Sequence, residues 1–166
     1  MTPDFDRLVA DATDLLAACR ARRLKLATAE SCTGGLIVAI LTEIAGSSEV
    51  VDRGFITYSN ASKTELIDVP KALIDAHGAV SEEVARAMAR GALAHSAADI
   101  AIAVTGVAGP GGGSPSKPVG LVHLAAARRG RGVQHRELRA GDIGRHAVRL
   151  ATVAEAFALI RAAMEI

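Results

Sequence analysis

The stretch from Asp99 to Thr105, which reads DIAIAVT, constrains the fold of this chain more than any other segment. It is a continuous apolar run of strand length, and such a run is typical of a central strand that is covered on both faces. The run ends in a glycine-rich loop, Gly106 to Pro118. We therefore predict a layered α/β structure with this strand inside its sheet.

The segments around this strand alternate between helical and strand patterns. Apolar residues recur every three or four positions from Pro3 to Ala21, which predicts a helix with Thr2 as its N-cap. Further helices are predicted from Gly34 or Gly35 to Ile44, from a cap at Asn60 or Ser62 through Leu66, from Ser81 to about Ala97, and from Arg145 to Met164. Strands are predicted for Leu24–Ala29 and Val51–Tyr58, and a hairpin for Val119–Ala127 with Val133–Arg139. This order predicts a three-layer α/β/α domain with a mixed β-sheet.

Length, charge and aromatic content exclude several classes of protein. At about 150 residues per domain, 166 residues suit one domain, to which we assign residues 1–166. Lysine and arginine number 19 against 18 aspartates and glutamates, and the chain has three Phe, one Tyr and no Trp. Nucleic-acid binding relies on excess positive charge and on aromatic rings that stack with bases, so direct binding of nucleic acid is disfavoured.

No segment directs the chain out of the cytosol. Its first residues mix acidic and apolar side chains, and the longest purely apolar run, Leu36 to Leu41, is far shorter than the roughly 20 residues of a membrane span. Two cysteines, Cys19 and Cys32, cannot form a disulfide framework. We expect a cytoplasmic protein without a membrane partner, and by base rates a homodimer.

The histidines give no metal-binding pattern. The chain contains no H-x-H, H-x-x-x-H or H-E-x-x-H spacing, and no cysteine pair joins its five histidines, which are His77, His95, His123, His135 and His146. We therefore expect no metal held by the protein. A Ser-His-Asp triad stays open at this point, because its members meet only in the fold.

The turn after the first predicted strand is a candidate catalytic segment. Ser31 stands where this strand ends and a helix begins, so its hydroxyl is expected beside backbone N–H groups that favour an oxyanion or a phosphate. Gly34 and Gly35 would let a substrate approach the backbone closely. The alternative is that Ser31 or Thr33 only caps the helix. Cys32, at the same helix N-terminus, is either an acidified nucleophile or a buried thiol.

A second candidate segment, Tyr58 to Glu65, follows the second predicted strand. Tyr58, Ser62 and Lys63 are expected at the sheet edge where strands of α/β folds deliver functional groups. Lys63 could act as a base if burial or a nearby cation lowers its pKa well below about 10.4. The alternative is a solvated lysine on a helix surface.

The glycine-rich loop is not a Walker motif, because G-x-x-x-x-G-K-[ST] is absent and prolines stand on either side of Lys117. At about 13 residues, it is longer than most connections in a compact domain. Two interpretations stay open: a flexible flap that donates N–H groups to a ligand, and a plain surface loop.

Four motifs in register identify a family resemblance. They are ATAESCTGG (27–35), YSNASK (58–63), HGAVSEE (77–83) and AVTGVAGPGGG (103–113), and KPVGLV (117–122) also matches. In this order the chain resembles the CinA C-terminal domain family, the PncC-type nicotinamide-nucleotide amidohydrolases, from about Leu8 to Ala163. The resemblance implies hydrolysis of the carboxamide of nicotinamide mononucleotide to nicotinic acid mononucleotide and ammonia, with no metal and no other cofactor.

The resemblance also implies roles for individual residues. Ser31 matches the family's nucleophile and Lys63 its base, with Tyr58 as a further catalytic residue. The implied substrate-binding residues are Thr33, Gly34, Gly35, Thr105, Gly106, Gly109, Gly111, Gly112 and Arg145. Relatives often show Gly-Asp-Arg where this chain reads Gly141-Asp142-Ile143-Gly144-Arg145, as if two residues were inserted. Many relatives also carry an N-terminal domain resembling molybdopterin-binding proteins, which is not expected here.

Two other functions compete with the serine amidohydrolase. One is a non-catalytic nucleotide- or protein-binding module linked to competence or the DNA-damage response, which the family name suggests. The other is a hydrolase that depends on Cys32. Ammonia release separates the first from an enzyme, and thiol alkylation separates the second from a serine enzyme.

Overall fold

The central strand lies inside a five-stranded sheet with both parallel and antiparallel pairs. The structure is a computed structural model and describes residues 3–166. Its strands are β1 (Leu26–Glu30), β2 (Val51–Ile56), β3 (Ile100–Gly106), β4 (Leu121–Arg128) and β5 (Val133–Arg139). Their spatial order is β2-β1-β3-β4-β5; β1 is parallel to both β2 and β3, whereas β4 is antiparallel to β3 and β5. The predicted central strand, hairpin and mixed sheet are confirmed.

Helices cover both faces of the sheet, as the three-layer prediction requires. One face carries α1 (Phe5–Ala21), α2 (Leu36–Thr42) and α6 (Arg145–Ala163). The other carries α3 (Asn60–Ile67), α4 (Lys71–His77) and α5 (Glu82–Ala94). None of the helices in residues 3–166 combines the length and apolar character needed to cross a bilayer.

The two faces of the sheet differ in the size of their side chains. Ile100, Ile102 and Val104 of β3 pack in the core with α1, α2 and α6, while Ala101 and Ala103 pack on the α5 side. Successive residues of a strand point to opposite faces, so this alternation sorts large from small side chains. The alanine-lined face allows α5 to approach the sheet closely.

Some element boundaries differ from the predictions. The predicted cap Thr2 lies outside the described residues; the N-cap of α1 is Asp4, whose carboxylate accepts the N–H of Arg7. The cap of α3 is Ser59, not Asn60 or Ser62, because the Ser59 hydroxyl is the group that accepts a helix N–H. Helix α4 was not predicted, since Ile74 is its single buried residue and it shows no apolar stripe.

The glycine-rich loop between β3 and β4 is anchored at both ends. The N–H of Gly120 donates to the carbonyl of Val107 at 2.8 Å. The Lys117 ammonium donates to the carbonyl of His77, at the end of α4. Ala108 and Gly109 are buried, whereas residues 110–116 are exposed. The loop therefore has a fixed base on the protein and an exposed tip.

Candidate active site

The candidate site lies at the carboxyl ends of the three parallel strands. Ser31 directly follows β1, Tyr58 follows β2, and Thr105 is the next-to-last residue of β3. The N–H of Ser31 donates to the carbonyl of Val104 at 3.1 Å, so the turn that carries Ser31 continues the pairing of β1 with β3. Parallel strands deliver residues to one edge of the sheet, which is where α/β folds place their sites.

Ser31 and Lys63 form a direct pair. The Lys63 Nζ donates to the Ser31 Oγ at 3.1 Å and to the carbonyl of Thr57 at 2.8 Å. The carbonyls of Tyr58 and Ser59 accept from the same nitrogen at 3.4 Å. Lys63 is only 1% exposed. The solvated alternative for Lys63 is therefore wrong.

Burial changes the chemistry of this lysine. Removal of the amine from water lowers the pKa of Lys63 from 10.5 to about 8, because an apolar environment disfavours the charged form. About half of the amines would then be neutral at pH 8. A neutral amine hydrogen-bonded to a serine hydroxyl can accept its proton, which is the arrangement of an activated nucleophile and its base.

Glu30 organises the turn that carries Ser31. Its side chain is fully buried, and both carboxylate oxygens accept hydrogen bonds. One accepts from the Thr33 hydroxyl at 2.6 Å and from the N–H groups of Gly35 and Ile37 at 3.0 Å; the other accepts from the N–H of Val38 at 2.9 Å. The carboxylate thus caps α2 from inside the protein, and its charge complements the positive end of the helix dipole.

This cap corrects the prediction for the helix N-terminus. The N-cap position of α2 is Gly35, with φ of 101°, and no side chain at that position caps the helix. Neither Ser31 nor Thr33 serves as the cap, so the capping alternative is wrong. The N–H groups of Gly35, Ile37 and Val38 bind Glu30, and that of Leu36 binds the Thr33 carbonyl, so none of them is available to a substrate. Among residues 3–166, no acceptor on another residue pairs with the N–H groups of Cys32 or Thr33.

The structure does not support Cys32 as a nucleophile. Its side chain is 6% exposed. Burial raises the pKa of the Cys32 thiol to about 12, and the nearby Glu30 charge acts in the same direction. The thiolate is the nucleophilic form of cysteine, so at neutral pH this residue is an unreactive thiol.

The candidate site is a cavity of about 270 Å³. The residues that line it are Ser31, Cys32, Tyr58, Asn60, Lys63, Ala79, Val80, Thr105, Gly106, Ala108 and Arg145. The buried Thr105 hydroxyl donates to the carbonyl of Ala79 at 2.8 Å, so it fixes one wall of the cavity.

Arg145 joins three segments across the mouth of this cavity. Its guanidinium donates to the carbonyl of Gly109 at 2.9 Å and to the Tyr58 hydroxyl at 3.0 Å. The Arg145 guanidinium, at the start of α6, therefore links the glycine-rich loop to the segment after β2. Arg149, one turn further along α6, donates to the carbonyl of Thr33 at 2.8 Å and so contacts the turn that carries Ser31.

The structure brings together only part of the predicted set. Ser31, Tyr58, Lys63, Thr105, Gly106 and Arg145 share the cavity, whereas Thr33, Gly34, Gly35, Gly109, Gly111 and Gly112 do not line it. Thr33 points to Glu30, and Gly109 contributes its carbonyl to Arg145.

Sequence reasoning missed Glu30, Asn60, Ala79, Val80, Ala108 and Arg149. No clear signal in the sequence marked Glu30, because Ser31 and Thr33 were themselves candidate local caps of α2. The small apolar residues of the cavity wall, Ala79, Val80 and Ala108, have no sequence signal that marks them as site residues. No group of three or more His, Cys, Asp or Glu side chains in residues 3–166 is arranged to hold a metal ion.

Comparison with known proteins gives matches over most of the chain. The family model described as the CinA C-terminal domain matches residues 10–164. A putative competence-damage inducible protein from Symbiobacterium thermophilum is 58% identical over 110 residues, which is 66% of this chain and 26% of that protein. A CinA-like protein from Chlorobium luteolum is 62% identical over 105 residues, or 63% of this chain and 24% of that protein. The aligned part thus spans about a quarter of the length of these relatives.

Solved structures match the fold over nearly its full extent. The competence/damage inducible protein CihA from Agrobacterium tumefaciens superposes with a TM-score of 0.92 at 51% identity, covering 98% of this chain and 97% of that chain. A competence-damaged protein (CinA) superfamily protein from Escherichia coli superposes with a TM-score of 0.89 at 30% identity, covering 97% and 92%.

Proposed function

The chain belongs to the CinA C-terminal domain family, and from this premise we propose that it is an amidohydrolase that converts nicotinamide mononucleotide to nicotinic acid mononucleotide and ammonia. The observation that carries the proposal is the contact of 3.1 Å between the Lys63 Nζ and the Ser31 Oγ, made by a lysine that is almost completely buried. Amide hydrolysis requires a nucleophile, a base and donors for an oxyanion, and the site offers a group for each.

In the first step, neutral Lys63 accepts the Ser31 proton while the Ser31 Oγ attacks the carboxamide carbon. The carbonyl oxygen becomes an oxyanion, for which the N–H of Cys32, a cavity residue, is a donor left free by the Glu30 cap. The Lys63 ammonium then gives its proton to the amide nitrogen. The C–N bond breaks, ammonia leaves, and a nicotinoyl ester remains on Ser31.

In the second step, water attacks the ester carbon and Lys63 accepts a proton from this water. The C–O bond to Ser31 breaks, the proton returns from Lys63 to the Ser31 Oγ, and the pyridine carboxylic acid leaves. The three carbonyls around the Lys63 Nζ hold the nitrogen beside Ser31 in both steps. A fixed base therefore serves both halves of the reaction.

Arg145 is the proposed partner of the substrate phosphate. Its side chain is exposed and lines the cavity, and its present acceptors, the Gly109 carbonyl and the Tyr58 hydroxyl, are uncharged. A phosphate would be a stronger acceptor for a guanidinium than either group, because charge-assisted bonds are stronger than neutral ones. We assign Arg145 to the phosphate on this basis.

The proposal is tested by incubating the purified protein with nicotinamide mononucleotide, without added metal, and measuring ammonia and nicotinic acid mononucleotide. Ser31→Ala and Lys63→Ala should each lose turnover. Ser62→Ala, on the same helix as Lys63, and Lys71→Ala, an exposed lysine paired with Asp75, are the matched controls and should retain it.

Turnover by Ser31→Ala at the wild-type rate would refute the serine mechanism. A folded wild type that binds the nucleotide but releases no ammonia would favour the non-catalytic binding module.

A further inference from the structure

Glu30 is a fully buried carboxylate whose partners are all hydrogen-bond donors without formal charge. No ion pair in residues 3–166 includes it. A buried charge is costly unless several hydrogen bonds satisfy it, and here one hydroxyl and three amides do so. An exposed Ser or Asp caps a helix without this desolvation penalty, so helix capping alone does not explain a buried carboxylate at this position.

The position of Glu30 in the chain supplies that reason. Its backbone belongs to the end of β1, and its side chain binds the first turn of α2. The four residues from Ser31 to Gly34 lie between these two attachments. The carboxylate therefore closes a short loop around the nucleophile and leaves the Ser31 backbone little freedom to move away from Lys63.

We propose that Glu30 is a positioning residue for Ser31. Its carboxylate holds the turn in the shape that keeps the Ser31 Oγ beside Lys63. By occupying the N–H groups of Gly35, Ile37 and Val38, it also leaves the N–H of Cys32 as the oxyanion donor. This inference rests on the proposed role of Ser31 as the nucleophile.

The contacts of Glu30 separate this role from that of a proton-transfer group. Its two oxygens accept hydrogen bonds from Thr33 and the start of the α2 segment, and neither is hydrogen-bonded to Ser31 or Lys63. The lowered pKa of Lys63 comes from burial, not from the Glu30 charge. Loss of the carboxylate should therefore reduce the rate and leave the position of the pH profile unchanged.

The test measures the reactivity of Ser31 independently of the natural substrate. With a fluorophosphonate probe, the Ser31 Oγ forms a bond to phosphorus, the P–F bond breaks, fluoride leaves, and Lys63 accepts the serine proton. Glu30→Gln places an amide NH₂ against the donors that now bind a carboxylate, and should slow labelling and kcat by about 10- to 100-fold with KM little changed. Glu30→Asp keeps the charge and should restore part of the rate.

Two further variants guard against a purely structural explanation. Thr33→Val removes one of the donors to Glu30 and should slow labelling by about 3- to 10-fold. If Glu30→Gln does not fold, the labelling rate of Thr33→Val tests the positioning role in its place. Arg129→Ala removes a guanidinium that binds the carbonyls of Leu93, Ser96 and Ala98, far from the site. It should lower the thermal stability while Ser31 is labelled at the wild-type rate.

The possible outcomes separate this inference from the proposed function. Labelling of folded Glu30→Gln within about twofold of wild type, or slowing no greater than that of Arg129→Ala at matched stability, would overturn the positioning role. Wild-type Ser31 that the probe does not label would overturn it as well, since no reactive serine would exist. A wild type that is labelled but inert toward the mononucleotide would refute the proposed function, and the labelling rates would still decide the role of Glu30.

Discussion

Replacing Lys63 with methionine should remove one titration from the folded state and thereby change how stability depends on pH. Burial lowers the pKa of Lys63 from 10.5 to about 8. Between these values the unfolded chain binds more protons than the folded protein, so the free energy of unfolding of the wild type rises with pH. Lys63→Met has no such titration and should lack this rise.

The size of the effect follows from the gap between the two pKa values. At about 1.4 kcal/mol for each pH unit, the full gap corresponds to about 3 kcal/mol. Between pH 7 and pH 9.5 the stability gained by wild type relative to Lys63→Met should be about 2 kcal/mol. The contribution is lost as the pH falls from about 10.5 to about 8, and below about 8 the amine carries its proton in both the folded and the unfolded state.

The assay is urea unfolding of both proteins at the two pH values, followed by circular dichroism. Titrations that do not involve Lys63, such as that of Cys19, cancel in the difference. A difference below about 0.5 kcal/mol would refute the reasoning. It would show that the carbonyls of Thr57, Tyr58 and Ser59 stabilise the ammonium as strongly as burial destabilises it.

Three other predictions concern reactivity, binding and packing. Cys32→Ser should retain the amidase activity within a few-fold, and a loss of more than 100-fold would instead assign the chemistry to the thiol; the assay is ammonia release. Arg145→Gln should raise KM for the mononucleotide by about 10- to 100-fold but not KM for the riboside, which has no phosphate; equal effects on both substrates would remove Arg145 from the phosphate site. Gly91→Ala should lower Tm by about 4 to 10 °C in a melting experiment, because a Cβ there would lie 1.9 Å from the Ile67 carbonyl oxygen. An unchanged Tm would show that α3 and α5 can separate without cost.

Local patterns determined most of the fold. The apolar run before Thr105 indicated a strand covered on both faces, and the structure places β3 between β1 and β4 with helices on both sides. Periodicity identified α1 and α6, because their buried residues recur on one face. Helix α4 escaped prediction because it buries a single side chain, and neighbouring elements rather than an apolar stripe define it.

The sequence by itself also identified the chemical groups of the candidate site, since Ser31 and Lys63 stand in motifs at the ends of strands. It left open whether Lys63 was solvated, whether Cys32 was reactive and which group capped α2. The tertiary structure decided these questions through burial and the hydrogen bonds of Glu30. The physical reason is that a pKa or a hydrogen-bond partner depends on the atoms that exclude water around a group. Those atoms come from segments distant in the chain, and local patterns of residues do not record them.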